Sequence, residues 1–224
     1  MPVGVCPAAV RRTVVSLGCV LLMLAGTAAP TLATAPAGGP AGLDRFLSAS
    51  LGSTRLPGMA VVVTHDSDVV YLKGFGADGH GGAVTPDTQF RVASLSKSFT
   101  ALAVLQLVEA RRIALDAPVR AYLPDFATAD PVASGRITVR RLLNQTSGMA
   151  DQGFPAITGA QPAGLRERMA SLRGARLVSE PGRAFHYFDP NYQVLARIVE
   201  VVSGEPFGSY LRDRVFVPLG MTGT

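Results

Sequence analysis

Apolar and polar positions alternate in two distinct ways along this chain. Residues 59–65 and 69–74 are short runs rich in Val and other strand formers, and Asp66-Ser67-Asp68 between them supplies a turn, so the pattern predicts a β-hairpin. Residues 76–82 are polar and glycine-rich and predict a loop. Elsewhere the period is helical. A short amphipathic helix is expected over 43–51. A longer one is expected over 96–109, where Phe99, Leu102, Val104, Leu105, Leu107 and Val108 cover most of the circumference. A helix apolar nearly all round belongs in the interior. Residues 139–144 predict a short helix capped by Thr138. Residues 191–203 predict another, burying Tyr192, Leu195, Ile198, Val199 and Val202 and ending before Gly204, and 207–215 predict the last. Strands first and helices thereafter indicate an α+β architecture.

The first 35 residues follow a different logic. Arg11 and Arg12 precede an apolar run from residue 14 to about 29, then small residues with an Ala33-Thr34-Ala35 pattern, which reads as a signal peptide over 1–35. The run contains Ser16, Gly18 and Gly26 and is short for a membrane span, so cleavage and export to the envelope or medium are expected without a stable anchor. The paired arginines leave a twin-arginine route open. Residues 36–41, rich in Pro, Gly and Ala, read as a flexible lead-in to a domain over 42–224. Both cysteines, Cys6 and Cys19, lie in the leader, so the exported part would contain neither a disulfide nor thiol chemistry.

Composition narrows the function classes. Hydrophobic residues are 48% of the chain and charged residues 17%, enough apolar surface for a core. The net charge of +5 becomes +3 when Arg11 and Arg12 are set aside, leaving 19 basic against 16 acidic residues with no like-charge block. Nucleic-acid binding therefore gains no support. Only Lys73 and Lys97 are lysines. Lysine, unlike arginine, can be tuned to release its proton.

Lys97 stands three residues after Ser94, at the mouth of the 96–109 helix. That spacing puts both side chains on one helical face. A serine hydroxyl needs a nearby base to become a nucleophile, and a lysine entering a less polar interior can serve as one or tune one. The helix start adds backbone N–H groups where negative charge would develop. By itself Ser-x-x-Lys is also compatible with a capping serine beside a surface lysine.

The surrounding blocks decide between these. Phe90-Arg91-Val92-Ala93-Ser94-Leu95-Ser96-Lys97-Ser98-Phe99-Thr100, Tyr122-Leu123-Pro124-Asp125-Phe126, and residues 137–149 with their Leu142-Leu143-Asn144-Gln145-Thr146-Ser147-Gly148-Met149 run closely resemble the class C β-lactamase-like family of serine hydrolases. Pro181-Gly182, the stretch from Tyr187 to Tyr192, and Pro218-Leu219-Gly220-Met221 are similar to it as well, in the family's order. The resemblance implies a β-lactamase/transpeptidase-like fold, with helices around a buried one and an antiparallel sheet. It also implies an acyl-enzyme mechanism on an ester, amide or β-lactam, of the kind used by β-lactamases, D-alanyl-D-alanine carboxypeptidases and esterases. Ser94 would be the nucleophile and Lys97 its cationic neighbour. Tyr187 would be the phenol that takes the serine's proton and returns it to the leaving group. No metal or organic cofactor is implied, and the expected partner is a small-molecule or peptide substrate; the oligomeric state is left open.

Two departures qualify the likeness. Asp189 occupies the substrate-binding position where the family's Tyr-x-Asn motif has asparagine. An ionised carboxylate only accepts hydrogen bonds, and near Lys97 it would keep the lysine charged and resist a phenolate at Tyr187. The family's third motif, Lys-Thr-Gly or His-x-Gly on a C-terminal strand, has no equivalent after Tyr187. His80-Gly81-Gly82 precedes the nucleophile and reads as a turn, and Thr222-Gly223 belongs to the preceding block. The expectation is therefore a C-terminally truncated domain with an incomplete sheet. The alternative function is a non-catalytic binder of cell-wall peptide or β-lactam built on the same fold.

Overall fold

The computed structural model describes residues 39–153 and 164–224, so the expected leader lies outside the described residues. Contacts divide the chain into two units at Arg55. Of the first, the described part is helix α1, Gly39–Thr54. It begins earlier than the 43–51 expected, taking up Gly39, Pro40 and Ala41 from the stretch read as a flexible lead-in. Proline is tolerated in a first helical turn, where its missing N–H would have no partner.

The second unit opens on the expected hairpin. Strand β1, Gly58–His65, pairs antiparallel with β2, Asp68–Gly76, from Gly58↔Gly76 to His65↔Asp68. A register irregularity between Val63 and Thr64 inserts an extra residue opposite. Only the foot of the hairpin is well covered, where Phe75 and Val84 are buried, while Val62, Val69, Val70 and Leu72 stay exposed. The sheet has two strands among the described residues, as the incomplete-sheet expectation required. The loop after β2 is tied by Asp78, whose carboxylate accepts from the N–H groups of His80 and Gly82, both at 2.8 Å, so His80-Gly81-Gly82 is a turn as read.

Helix α2, Ser96–Glu109, has the expected bounds but not the expected burial. Thr100, Ala103, Val104 and Leu107 are buried on one side, while Leu102 and Leu105 are exposed on the other. Apolar content fixed the helix's suitability for an interior; coverage of its second flank requires neighbours that the described residues do not place there. Helices α3, Pro131–Ser134, and α5, Leu165–Ser171, were not expected from the sequence. The first is a single turn held by Asp130, whose carboxylate accepts from Val132 and Ala133 N–H groups, both at 2.9 Å, with Pro131 next to the cap.

Helix α4, Val139–Leu143, starts at Thr138, whose hydroxyl accepts from the Arg141 N–H at 3.3 Å. Helix α6, Asp189–Ser203, begins two residues before the expected start and stops at Gly204 in the left-handed conformation (φ 82°), which glycine adopts without steric cost. Its core side carries Val194, Leu195, Ile198 and Val199, with Tyr192 and Val202 only partly buried. Helix α7, Phe207–Leu211, runs into one wide π turn, Arg212–Phe216, and Phe216 meets Phe99 edge-on at 5.4 Å. The core lies between α2, α4, α6 and α7, filled by Val104, Leu107, Leu142, Leu195 and Ile198, with Phe126, Met149 and Phe188 closing its ends. Burying each such side chain is worth about 1.5–3 kcal/mol.

Candidate active site

The site is built where α2 and α6 begin. A single 3₁₀ turn, Ala93–Leu95, leads into α2, so Ser94 sits on the tight turn just ahead of the helix and not within it. Ala93 adopts a positive φ of 45°, a conformation that L residues with a Cβ enter at a cost of roughly 1–3 kcal/mol. That strained residue aims the turn so that the Ser94 hydroxyl is exposed, and the next turn brings Lys97 to it.

The two segments meet through short polar contacts. Ser94 Oγ lies 2.6 Å from Tyr187 Oη, and Lys97 Nζ donates to Ser94 Oγ at 3.1 Å. Lys97 Nζ also donates to Asp189 Oδ1 at 2.5 Å and stands over the rings of Tyr187 (4.6 Å) and Tyr192 (5.9 Å). All four residues singled out from the sequence, Ser94, Lys97, Tyr187 and Asp189, are thus brought together. The Lys97 side chain is 17% exposed and Asp189 64%. Burial works against the charge on Lys97, but hydrogen bonds and attraction from Asp189 and Tyr187 outweigh it and hold the ammonium above the ordinary lysine value. The expectation that Asp189 would keep Lys97 protonated agrees with this arrangement. The Ser94 hydroxyl is thus in contact with both the Lys97 ammonium and the Tyr187 phenol oxygen.

Tyr192 was read as a core residue. It is only half-covered, its hydroxyl donates to Leu143 O at 2.9 Å, and burial raises its pKa against the opposing pull of Lys97. Its ring lies 5.9 Å from the ammonium and contributes to the wall of the recess that Lys97 lines.

The segment carrying Tyr187 and Asp189 is not helical until α6 starts, so something must hold it. The cause is a buried polar cluster that sequence reasoning missed. Asn191, in the first turn of α6, donates to Gln145 Oε1 at 2.5 Å and accepts from Ser147 Oγ at 2.7 Å. Gln145 Oε1 also accepts the Phe188 N–H at 3.2 Å, and Gln145 O accepts the His186 N–H at 2.9 Å. Tyr187 is pinned on both sides to the turn that follows α4. Gly148 completes that turn at φ 86°; a Cβ there would lie 2.3 Å from Ser179 O. The signal in the sequence was a run of polar residues, Asn144 to Ser147, between two apolar stretches that both become core.

A recess of about 250 Å³ adjoins the cluster, lined by Ala93, Ser96, Lys97, Asp189, Gln193 and Phe207 among others. A separate hollow of about 310 Å³ lies between Tyr122, Phe126, Arg166, Arg173 and Arg197 and includes none of the four residues. Among the described residues no cluster of His, Cys, Asp and Glu has metal-binding geometry, and no helix is long and apolar enough to cross a membrane.

Comparison with known proteins gives this arrangement its context. The chain is 38% identical over 167 residues to penicillin-binding protein 4 of Amycolatopsis lactamdurans, covering 74% of this chain and 44% of that protein. Its structure is similar to the octameric penicillin-binding protein homologue of Pyrococcus abyssi, with TM-score 0.72 and 29% identity over 83% of this chain and 44% of the other. It is also similar to EstCE1, a hydrolase with promiscuous acyltransferase activity, with TM-score 0.68 and 29% identity over 79% and 50% of the two chains. The chain thus spans about half the length, or less, of these relatives. The fold is β-lactamase/transpeptidase-like, as expected. The profile of the Beta-lactamase family matches residues 43–224, and the chain belongs to that family of serine hydrolases.

Proposed function

We propose that the chain carries out acyl transfer from an ester, amide or β-lactam through a covalent intermediate on Ser94. The observation that supports this reading best is the 2.6 Å contact of Ser94 Oγ with Tyr187 Oη, beside an ammonium 3.1 Å from the same serine. Tyr187, as phenolate, accepts the Ser94 proton while Oγ bonds to the substrate carbonyl carbon. When the tetrahedral adduct collapses, the bond to the leaving group breaks and Tyr187 returns the proton to it. A water then gives its proton to Tyr187 and attacks the acyl carbon; the bond to Ser94 Oγ breaks, the acid leaves, and Tyr187 passes the proton to Oγ, restoring the serine and the phenolate. Lys97 stays charged throughout and stabilises the phenolate, while Asp189 opposes that stabilisation. The substrate is a small molecule or peptide, and side chains and water suffice for the reaction. Residues 1–35 would direct the chain to the cell envelope or medium.

Intact mass after mixing the protein with activated esters and a penicillin tests this. An adduct on Ser94 is expected, absent in Ser94→Ala and decaying as the acyl group is hydrolysed. Folded protein that takes no adduct from any reagent would refute it. A second reading, a binder without turnover, is favoured by the Lys97–Asp189 pair, because a carboxylate there works against the phenolate. It predicts an adduct that does not decay, or reversible binding alone.

A further inference from the structure

The acyl-transfer reading leaves open which acyl donors the site accepts, and Asp189 bears on that. With asparagine at this position, Lys97 would leave the site with a net positive charge. The Asp189 carboxylate at 2.5 Å cancels it. A site so neutralised no longer draws an anionic substrate toward the nucleophile.

The carboxylate is also unspent. Its contact with Lys97 uses Oδ1, and the side chain remains 64% exposed, which leaves acceptor capacity facing solvent next to Ser94. Two contacts sharing one ammonium, 3.1 Å to Ser94 Oγ and 2.5 Å to Asp189 Oδ1, hold the carboxylate close to the attacking oxygen. A carbonyl carbon poised for attack lies about 3–3.5 Å from that oxygen. A nitrogen on the adjacent carbon is about 2.5 Å from the carbonyl carbon by standard bond lengths and angle. A charge-assisted hydrogen bond adds about 2.7–2.9 Å. These lengths let a substituent on the first carbon beyond the carbonyl reach Asp189 while the carbonyl sits at Ser94.

Asp189, Lys97 and Ala93, the residue before the nucleophile, line one recess of about 250 Å³, so the exposed part of the carboxylate borders space that a donor can enter.

We infer that the preferred acyl donors carry a protonated amine on the carbon next to the scissile carbonyl, as aminoacyl esters or amides do, and that Asp189 is the residue that selects them. This inference rests on the acyl-transfer reading, and the test separates the two. The purified chain is given three p-nitrophenyl esters of matched size: glycyl, propionyl and the malonyl half-ester. The assay runs near pH 6, below the α-amino pKa of about 7.7–8.0. Rates are corrected with Ser94→Ala, and acylation of Ser94 is verified by mass. Intrinsic ester reactivity cancels when the glycyl-to-propionyl ratio of wild type is divided by that of Asp189→Asn. That quotient is expected to be about tenfold or more, the size of a charge-assisted contact, with the malonyl ester slowest in wild type. A second measurement does not depend on the variant folding. Within wild type, the advantage of the glycyl ester over its N-acetylated form should vanish as pH rises and the amine loses its proton. Acylation of Ser94 by the propionyl ester with a quotient near one, or with no pH-dependent preference, overturns the inference and leaves the acyl-transfer reading standing. Failure of every ester to acylate Ser94 overturns both.

Discussion

Asn191→Ala tests whether the buried polar cluster positions the tyrosine. Asn191 is wholly buried, and its carboxamide makes two contacts, 2.7 Å from Ser147 Oγ and 2.5 Å to Gln145 Oε1. Removing it leaves the Ser147 hydroxyl without its acceptor, which costs about 1–3 kcal/mol for a buried polar group. Loss of the contact to Gln145 adds about 0.5–1.5 kcal/mol, since Gln145 Oε1 keeps only the Phe188 N–H. The sum is about 1.5–4.5 kcal/mol, a large part of the roughly 5–15 kcal/mol that stabilises an ordinary domain. Urea unfolding followed by circular dichroism measures it. With a slope of about 2 kcal/mol/M, the middle of the range for small domains, the midpoint should fall by roughly 1–2 M at unchanged slope. Because Tyr187 lies between His186 and Phe188, both bonded to Gln145, acylation of Ser94 should slow by more than the unfolded fraction explains. Changing Ser147→Ala together with Asn191→Leu removes donor and acceptor at once and should recover part of the loss, so the two changes are non-additive. A midpoint shift worth less than about 0.5 kcal/mol, or additive single and double variants, would refute the claim that this cluster holds the segment.

Further expectations follow from the same geometry. Tyr187→Phe keeps the ring over Lys97 but removes the oxygen 2.6 Å from Ser94, so the acylation rate should fall about 10²–10⁴-fold with the fold intact; an unchanged rate would point to another base. In Asp189→Asn the Lys97 charge loses its partner. Because the folded-state pKa of Lys97 is raised, the stabilisation it reflects is complete below the unfolded value of about 10.5 and is lost as pH rises through the raised one. The variant should therefore be less stable near neutral pH, by no more than about 1 kcal/mol given the exposed carboxylate, and the gap should close in alkali. Gly148→Ala places a Cβ 2.3 Å from Ser179 O at a positive φ and should cost at least about 1–2 kcal/mol in chemical denaturation, the left-handed penalty before any clash.

Local patterning announced much of this protein because local physics determines it. Period-two apolar runs with Asp66-Ser67-Asp68 between them made the hairpin, and Thr138 and Gly204 marked helix ends because a hydroxyl cap and a left-handed glycine act within one turn. Four and seven residues are too few for a period to stand out in α3 and α5; α3 does carry a start signal in Asp130-Pro131, which periodicity does not detect, whereas α5 has no side-chain cap. The nearness of Ser94 and Lys97 follows from a three-residue spacing. Their nearness to Tyr187 and Asp189, more than ninety residues on, was expected only through resemblance to a known family.

The sequence by itself determined which residues could do chemistry: one lysine beside a serine, a tyrosine, and a carboxylate in place of an amide. Tertiary structure decided what those groups are to each other. Packing of α2 against α6 and the segment before it set Lys97, already beside Ser94, within reach of Tyr187 and Asp189 and made its ammonium a shared donor, a matter of distances that no linear pattern encodes. It also decided which apolar residues are core. Leu102 and Leu107 lie on the same helix and read alike in sequence, yet one is exposed and the other buried. Burial depends on what neighbouring segments place against a face, and Gln145 and Ser147 became interior for the same reason, Gln145 Oε1 and the Ser147 hydroxyl meeting Asn191 only once the chain had closed around them.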